Sequence, residues 1–468
     1  MYNKRVKKNA FFLKGDICWS SSPHSIETVK NGFLLCLDGK SGGVFKEVPG
    51  HYEHLPVKNH SGKLIIPGLT DLHVHAPQFS FRSLGMDLEL LDWLNVITFP
   101  EETKYRDPEY AREAYGHFID DIKRGPNTRL CVYATIHVPG TLLLMDMLEE
   151  SGLVSFVGKV NMDRNCLKDL MEHDAAGATR EWLETFNKRK KEGRYKNTAA
   201  ILTPRFLPSC SDKLMKSLVQ MQREYGLPLQ SHLSENREEV RWVRELCPDS
   251  ENYAGAYADS GLMEGPAIMA HCVWTDEREM DLLSEKGVYI AHCPQSNTNL
   301  SSGIAPAKRF MEKGIPMGLG SDVAGGVHTS IFRAMTDAIQ VSKLRRTLGT
   351  QVFDMLNLPA KSDRTQAARH KVEKALTLEE AFYLGTAGGG SFFGKRHAKS
   401  PKGAGPRGVD FGPAGSFEKG WDFDALIIDD SALGGPVRRK LHDRLERVVY
   451  LSDDRHIIGK YVRGISVL

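Results

Sequence analysis

The stretch Leu64-Ile-Ile-Pro-Gly-Leu-Thr-Asp-Leu-His-Val-His75 decides how the rest of the chain is read. It is a short apolar run, a Pro-Gly turn and a second apolar run that ends in His-x-His. Side chains alternate along an extended segment, so His73 and His75 project to the same side, where two imidazoles can share a metal ion. His-x-His also arises by chance on surface strands, so the reading depends on what the later strands supply.

Outward from this stretch the pattern alternates between apolar runs and polar segments with helical spacing. Eight apolar strand candidates end near His75, Ile136, Asp163, Phe206, Ser234, Val273, Pro294 and Asp322. Between them lie charged segments with a 3.6-residue period, for example 212–225, 235–246 and 275–286. Eight such alternations predict an α/β fold with a (β/α)₈ TIM barrel, whose reactive residues must fall at the C-terminal ends of the strands. Residues 1–66 carry short β-type runs such as Ala10-Phe-Phe-Leu13 and Gly32-Phe-Leu-Leu-Cys-Leu37. The segments Asp424-Ala-Leu-Ile-Ile-Asp429, Arg447-Val-Val-Tyr-Leu451 and Gly459-Lys-Tyr-Val-Arg-Gly464 read as strands that rejoin them. The expected division is 1–66 and 395–468 as the two parts of a small β-sandwich, flanking a barrel over 67–394. Residues 395–412, rich in Gly, Pro and Lys, read as an inserted exposed loop. After Asp322, helices are expected over 329–348, 352–356 and 377–385.

The strand ends supply what a barrel site requires. Strand one offers His73 and His75, strand four Arg205 and Phe206, and strand five His232 with Glu235 three residues on. Strands six, seven and eight offer His271, His292 and Asp322. Three imidazoles and a carboxylate suit Zn²⁺ or Fe²⁺, with one position open for water. Glu235, on the turn after His232, is placed to shuttle protons. Each residue has a plainer reading: Asp322 as a helix N-cap, Glu235 as a first-turn acid, Arg205 as a structural ion-pair partner, Phe206 as core. Those readings would have to hold at every strand end independently.

Composition narrows the class. The 468 residues can bury a large core, and a net charge of +3 without a long basic stripe argues against nucleic acid as a main partner. The eight cysteines form no Cys-x-x-Cys pair and point to a reducing compartment. No apolar run approaches membrane-spanning length, and no apolar h-region follows the basic N-terminus, so a soluble cytoplasmic protein with no membrane partner is expected.

Pro67-Gly-Leu-Thr-Asp-Leu-His-Val-His-Ala-Pro-Gln78, Phe99-Pro-Glu-Glu102, Ala134-Thr-Ile-His137 and Val157-Gly-Lys-Val-Asn-Met-Asp163 together resemble the amidohydrolase superfamily, and more closely its guanine deaminases. Thr203-Pro-Arg-Phe206, Gln230-Ser-His-Leu-Ser-Glu235, Ala291-His-Cys-Pro-Gln-Ser-Asn297 and Leu319-Gly-Ser-Asp-Val-Ala-Gly-Gly326 extend the resemblance. The resemblance implies one zinc ion per subunit held by His73, His75, His232 and Asp322. It implies His271 beside the reacting water, with Glu235 as proton shuttle. Gln78, Arg205, Phe206 and His232 would hold the purine, Arg205 through a carbonyl oxygen and Phe206 over the ring face. It further implies hydrolysis of guanine to xanthine and ammonia, within purine catabolism, and a homodimer.

Four alternatives are distinguishable. A mononuclear relative acting on cytosine, adenosine, a triazine or a methylthio-purine would share the metal residues. A binuclear hydantoinase-like enzyme needs a bridging lysine on strand four, where this chain has Thr203-Pro-Arg-Phe206. A non-catalytic barrel would have lost metal residues. The unrelated zinc deaminases built on His-x-Glu and Pro-Cys-x-x-Cys match only His51-Tyr-Glu53, and the cysteine pair is missing.

Overall fold

The computed structural model describes residues 9–355, 373–394, 411–434 and 438–468. The expected strand ends are present as two four-stranded parallel sheets. The first runs β5 (Leu69–His75), β6 (Asn127–Tyr133), β7 (Val154–Gly158) and β9 (Thr198–Ala200). The second runs β11 (Leu229–Leu233), β12 (Ala267–His271), β13 (Tyr289–His292) and β14 (Met317–Leu319). Two further short strands, β8 (Val160–Asn161) and β10 (Thr203–Pro204), pair with each other at the ends of β7 and β9.

Backbone hydrogen bonds cross between the two sheets at both margins. Leu202 and Leu229 form a parallel bridge, with Gln230 N–H donating to Leu202 O at 2.9 Å. On the other side, Asp322 N–H donates to His73 O at 2.8 Å and His75 N–H to Val323 O at 3.2 Å. The architecture is mixed α/β and TIM-barrel-like. Parallel strands covered by helices are buried on both faces, which is why β5, β6 and β7 are buried at every position. The helices between them match the periodic segments: Asp212–Tyr225, Arg237–Leu246 and Glu277–Lys286.

The terminal strands form one seven-stranded sheet. Its members are β1 (Ala10–Ser22), β2 (Ser25–Leu37), β3 (Lys40–Phe45), β4 (Val57–Pro67), β15 (Ala425–Ile428), β16 (Ile457–Val462) and β17 (Ile465–Ser466), in the order β17-β16-β15-β4-β1-β2-β3. The sheet is strongly curled. Phe11 on β1 and Tyr461 on β16 lie three strand steps apart in the sheet order, yet their ring centroids are 5.7 Å apart. A flat sheet would separate them by about 14 Å at about 4.8 Å per step. Arg129 of β6, fully buried, ties this sheet to the parallel strands by pairing with Asp422 at 2.8 Å and Asp424 at 2.7 Å.

Two expectations are corrected. The stretch from Arg447 to Leu451 is not a strand; it ends the helix Leu441–Leu451. Val448 and Val449 suggested β structure, but Leu445, Val448 and Val449 are the buried positions, at the i, i+3, i+4 spacing that buries one helix face. The segments 329–348 and 352–356 are not separate helices as far as 355, because one helix runs Ile331–Met355. The expected loop 395–412 falls outside the described residues, apart from 411–412.

Candidate active site

Strand β5 sets the site because its alternation divides it. Leu72 and Val74 enter the apolar core, while Asp71, His73 and His75 share the other direction, all at most 3% exposed. His73, His75 and His232 bring their Nε2 atoms together with a carboxylate oxygen of Asp322, all within 4.8 Å of one another. His75 Nε2 lies 3.2 Å from His73 Nε2 and 3.3 Å from His232 Nε2. Asp322 Oδ1 lies 3.1 Å from His73 Nε2 and 3.4 Å from His75 Nε2.

These separations test whether the residues fit a metal ion. Ligand atoms set tetrahedrally at about 2.0–2.1 Å from one ion lie about 3.3–3.4 Å apart. The four separations given, 3.1–3.4 Å, lie close to that value. The tautomers fit as well. His232 Nδ1–H donates to Arg205 O at 2.6 Å, which leaves the Nε2 lone pair facing the cluster. Burial, reinforced by the neighbouring imidazoles, holds His75 and His232 well below the ordinary histidine range, so both are neutral and able to ligate. For Asp322, burial favours the neutral acid, but His73, His271 and His75 outweigh it and keep the carboxylate ionised.

His271 stands beside the cluster. Its Nδ1–H donates to Asn297 Oδ1 at 2.9 Å, and its Nε2 lies 3.4 Å from Glu235 Oε2 and 3.7 Å from Asp322 Oδ2. Burial, opposed by Asp322 and reinforced by His73, pulls it down to about 4. Glu235 is 4% exposed, and burial, then Asp322 and Glu239, hold its carboxyl well above the ordinary range. A carboxyl that is easily protonated, beside an ionised one that is not, has the pairing that acid–base work needs.

A small, partly open cavity lies over these groups. His75, His232, Glu235 and Asp322 line its polar side; Gln78, Arg205 and Phe206 line it too, with Leu90, Trp93, Leu94 and Leu300 as apolar wall. Apolar walls with a few convergent polar groups suit a small heteroaromatic ring.

Residues 64–399 match the amidohydrolase family. The chain belongs to the amidohydrolase family. Within the family it is similar to the guanine deaminase of Dictyostelium discoideum, 35% identical over 99% of both chains. It is also similar to that of Escherichia coli, 31% identical over 94% of this chain and 92% of the relative. A crystal structure of guanine deaminase from C. acetobutylicum with bound guanine in the active site matches with a TM-score of 0.86 and 37% identity, covering 98% of this chain and 100% of that one.

Every residue singled out from the sequence except His292 lies in or against this amidohydrolase site. His292, at the end of β13, takes no part in the four-residue cluster; it is 1% exposed and burial pulls it down to about 4. Its neighbour Cys293 lies closer, grouped with His73, His271 and Asp322. Two carboxylates were given no role from the sequence. Asp71 accepts from His73 N–H at 3.1 Å, Ser321 N–H at 3.0 Å and the Ser321 hydroxyl at 2.6 Å, so it holds the end of β14 against β5. Burial raises Asp71 to about 7 despite those bonds. Glu102 accepts from Gln78 and Arg205. Both carboxylates stand inside stretches that carry the resemblance, and only the fold reveals what they touch.

Proposed function

We infer that the chain is a guanine deaminase, hydrolysing guanine to xanthine and ammonia. The observation that carries this reading is the approach of four ligand-atom separations, 3.1–3.4 Å, to those around one tetrahedral ion beneath a pocket lined by Gln78, Arg205 and Phe206. The guanine-bound relative, alike over the whole chain, supports guanine as the occupant. His73, His75, His232 and Asp322 would hold one zinc ion per chain. Bound there, zinc brings the pKa of a water from about 15.7 to roughly 7 and places positive charge opposite the charge that develops in the transition state.

The chain's own groups do the rest. Arg205 donates to the purine carbonyl, Gln78 fixes the ring edge and Phe206 covers a face, which presents the aminated carbon to the water. Glu235 takes the proton that the attacking water loses and delivers it to the ring nitrogen beside that carbon, which makes the carbon electrophilic. His271 and Asp322 stabilise the tetrahedral adduct. Glu235 then takes the proton of the adduct's new hydroxyl and passes it to the amine, so that the carbonyl forms as the C–N bond breaks and ammonia leaves.

The same reading takes the eight parallel strands as a closed (β/α)₈ barrel over 67–394, supported by the hydrogen bonds at both sheet margins. The curled terminal sheet is read as a small β-sandwich from 1–66 and 395–468, supported by a second core that includes Phe11, Ile65, Phe423 and Tyr461. Incubation of the purified chain with guanine, with xanthine and ammonia measured together, tests the function. Equimolar formation of both is expected; a zinc-loaded chain that leaves guanine intact but releases ammonia from another aminated heterocycle overturns it.

A further inference from the structure

We propose that Glu102 is a positioning residue that makes the far end of the pocket donor-only, and so sets selectivity for a 6-oxo over a 6-amino purine. The proposal rests on the guanine reading above and deepens it.

Glu102 belongs to the short helix Phe99–Thr103 and is 5% exposed. Both of its oxygens are engaged by residues of the pocket. Oε1 accepts from Gln78 Nε2–H at 2.8 Å and Oε2 accepts from Arg205 NH1 at 2.6 Å. Gln78 in turn accepts from Ala324 N–H at 3.1 Å through its Oε1. A carboxylate only accepts and a backbone N–H only donates, so these two neighbours fix the direction of the Gln78 amide. Its nitrogen faces Glu102 and its oxygen faces Ala324. Gln78 therefore has one amide N–H to spare, and Arg205 keeps its remaining guanidinium N–H groups.

The polar groups at this end of the cavity are thus locked as donors. They can meet a ring carbonyl. An exocyclic amine in the same place would oppose donor to donor, and a site built around hydrogen bonding rejects the mismatched analogue strongly. With Gln in place of Glu102 the lock is lost in two ways. The amide can offer a donor to Gln78, which allows Gln78 to turn, and the charge that holds the Arg205 guanidinium disappears.

The test compares guanine with 2,6-diaminopurine, which keeps the 2-amine and carries an amine in place of the 6-oxo group. Wild-type turnover of guanine is measured first; its absence sinks the functional reading, not this inference. In Glu102→Gln, kcat/KM for guanine should fall by about 30-fold or more, while the competitive inhibition constant of 2,6-diaminopurine moves by less than about 3-fold, and zinc content stays the same. A merely structural role weakens both ligands by the same factor, and that outcome, or no change in either, overturns the proposal. Should Glu102→Gln not fold, Glu102→Asp carries the same comparison, since it keeps the charge and withdraws the carboxylate by one methylene; an unchanged preference in that variant likewise overturns the proposal.

Discussion

Glu235 and Asp322 show how two buried carboxyl groups at one site come to differ in protonation. Burial favours the neutral acid of both; Asp322 also meets three imidazoles and stays ionised, whereas Glu235 also meets the Asp322 charge and Glu239, and binds a proton readily. Their opposite displacements follow from neighbours rather than from residue type. Replacing Glu235 by Gln removes the movable proton but no proposed metal ligand. Glu235→Gln is expected to retain its metal, by elemental analysis, and to lose about 10²–10⁴-fold in kcat. Near wild-type turnover would take Glu235 out of the mechanism. His73 and His75 were readable from alternation along one strand, because that is a local property. The bond between Arg205 and Glu102 spans 103 positions and leaves no periodic trace in the sequence.

Among the elements, the helix Arg237–Leu246 is the one that aims Glu235. Its N-terminus is a capping box, with Glu238 N–H donating to Asn236 Oδ1 at 2.8 Å. Glu239 Oε2 accepts from both Asn236 N–H and Glu235 N–H, and Tyr253 donates its hydroxyl to the other oxygen at 2.7 Å. The cap thus fixes the backbone of the proposed proton shuttle. Glu239→Ala should lower stability by about 1 kcal/mol, read by denaturant unfolding. It should also lower kcat by about 10-fold through misplacement of Glu235, with metal content unchanged. A stability loss without a change in kcat would confine Glu239 to capping. The helix Leu441–Leu451 carries the opposite lesson, since two adjacent valines suggested a strand where the wider spacing of buried residues makes a helix.

The whole molecule is joined through Arg129, which links β6 to Asp422 and Asp424, some 290 positions away. Burial would raise the Asp422 carboxyl, but Arg129 and Lys40 outweigh it and hold it below the ordinary range. A depressed carboxyl contributes stability above its unfolded pKa, about 3.9, and that contribution is lost as pH falls through the folded value. Arg129→Met leaves two buried carboxyls without their guanidinium and should cost about 3–5 kcal/mol at neutral pH. Without the guanidinium, burial makes the Asp422 carboxyl bind its proton more tightly folded than unfolded, so the deficit should shrink as the pH is lowered towards about 4. Melting temperatures across pH for both proteins check it; a deficit that does not vary with pH would contradict the account. With zinc held as proposed, chelation should abolish turnover and lower the melting temperature together, because a ligand that binds only the folded chain stabilises it, and zinc should restore both. At a free metal concentration about 1,000 times Kd the stabilisation is about 4 kcal/mol.

By itself the sequence determined which chemistry stands at which strand end, because the period of two along a strand and the alternation of strand and helix are written over a few residues at a time. It assigned His73, His75, His232, Glu235, His271 and Asp322 to one rim. The tertiary structure decided which of the residues on that rim touch. It set His292 aside, brought Asp71 and Glu102 in, and fixed the ligand atoms at separations that suit one ion. The physical reason is that a hydrogen bond between buried groups depends on how distant segments pack, and packing is a property of the closed set of contacts rather than of any stretch of chain.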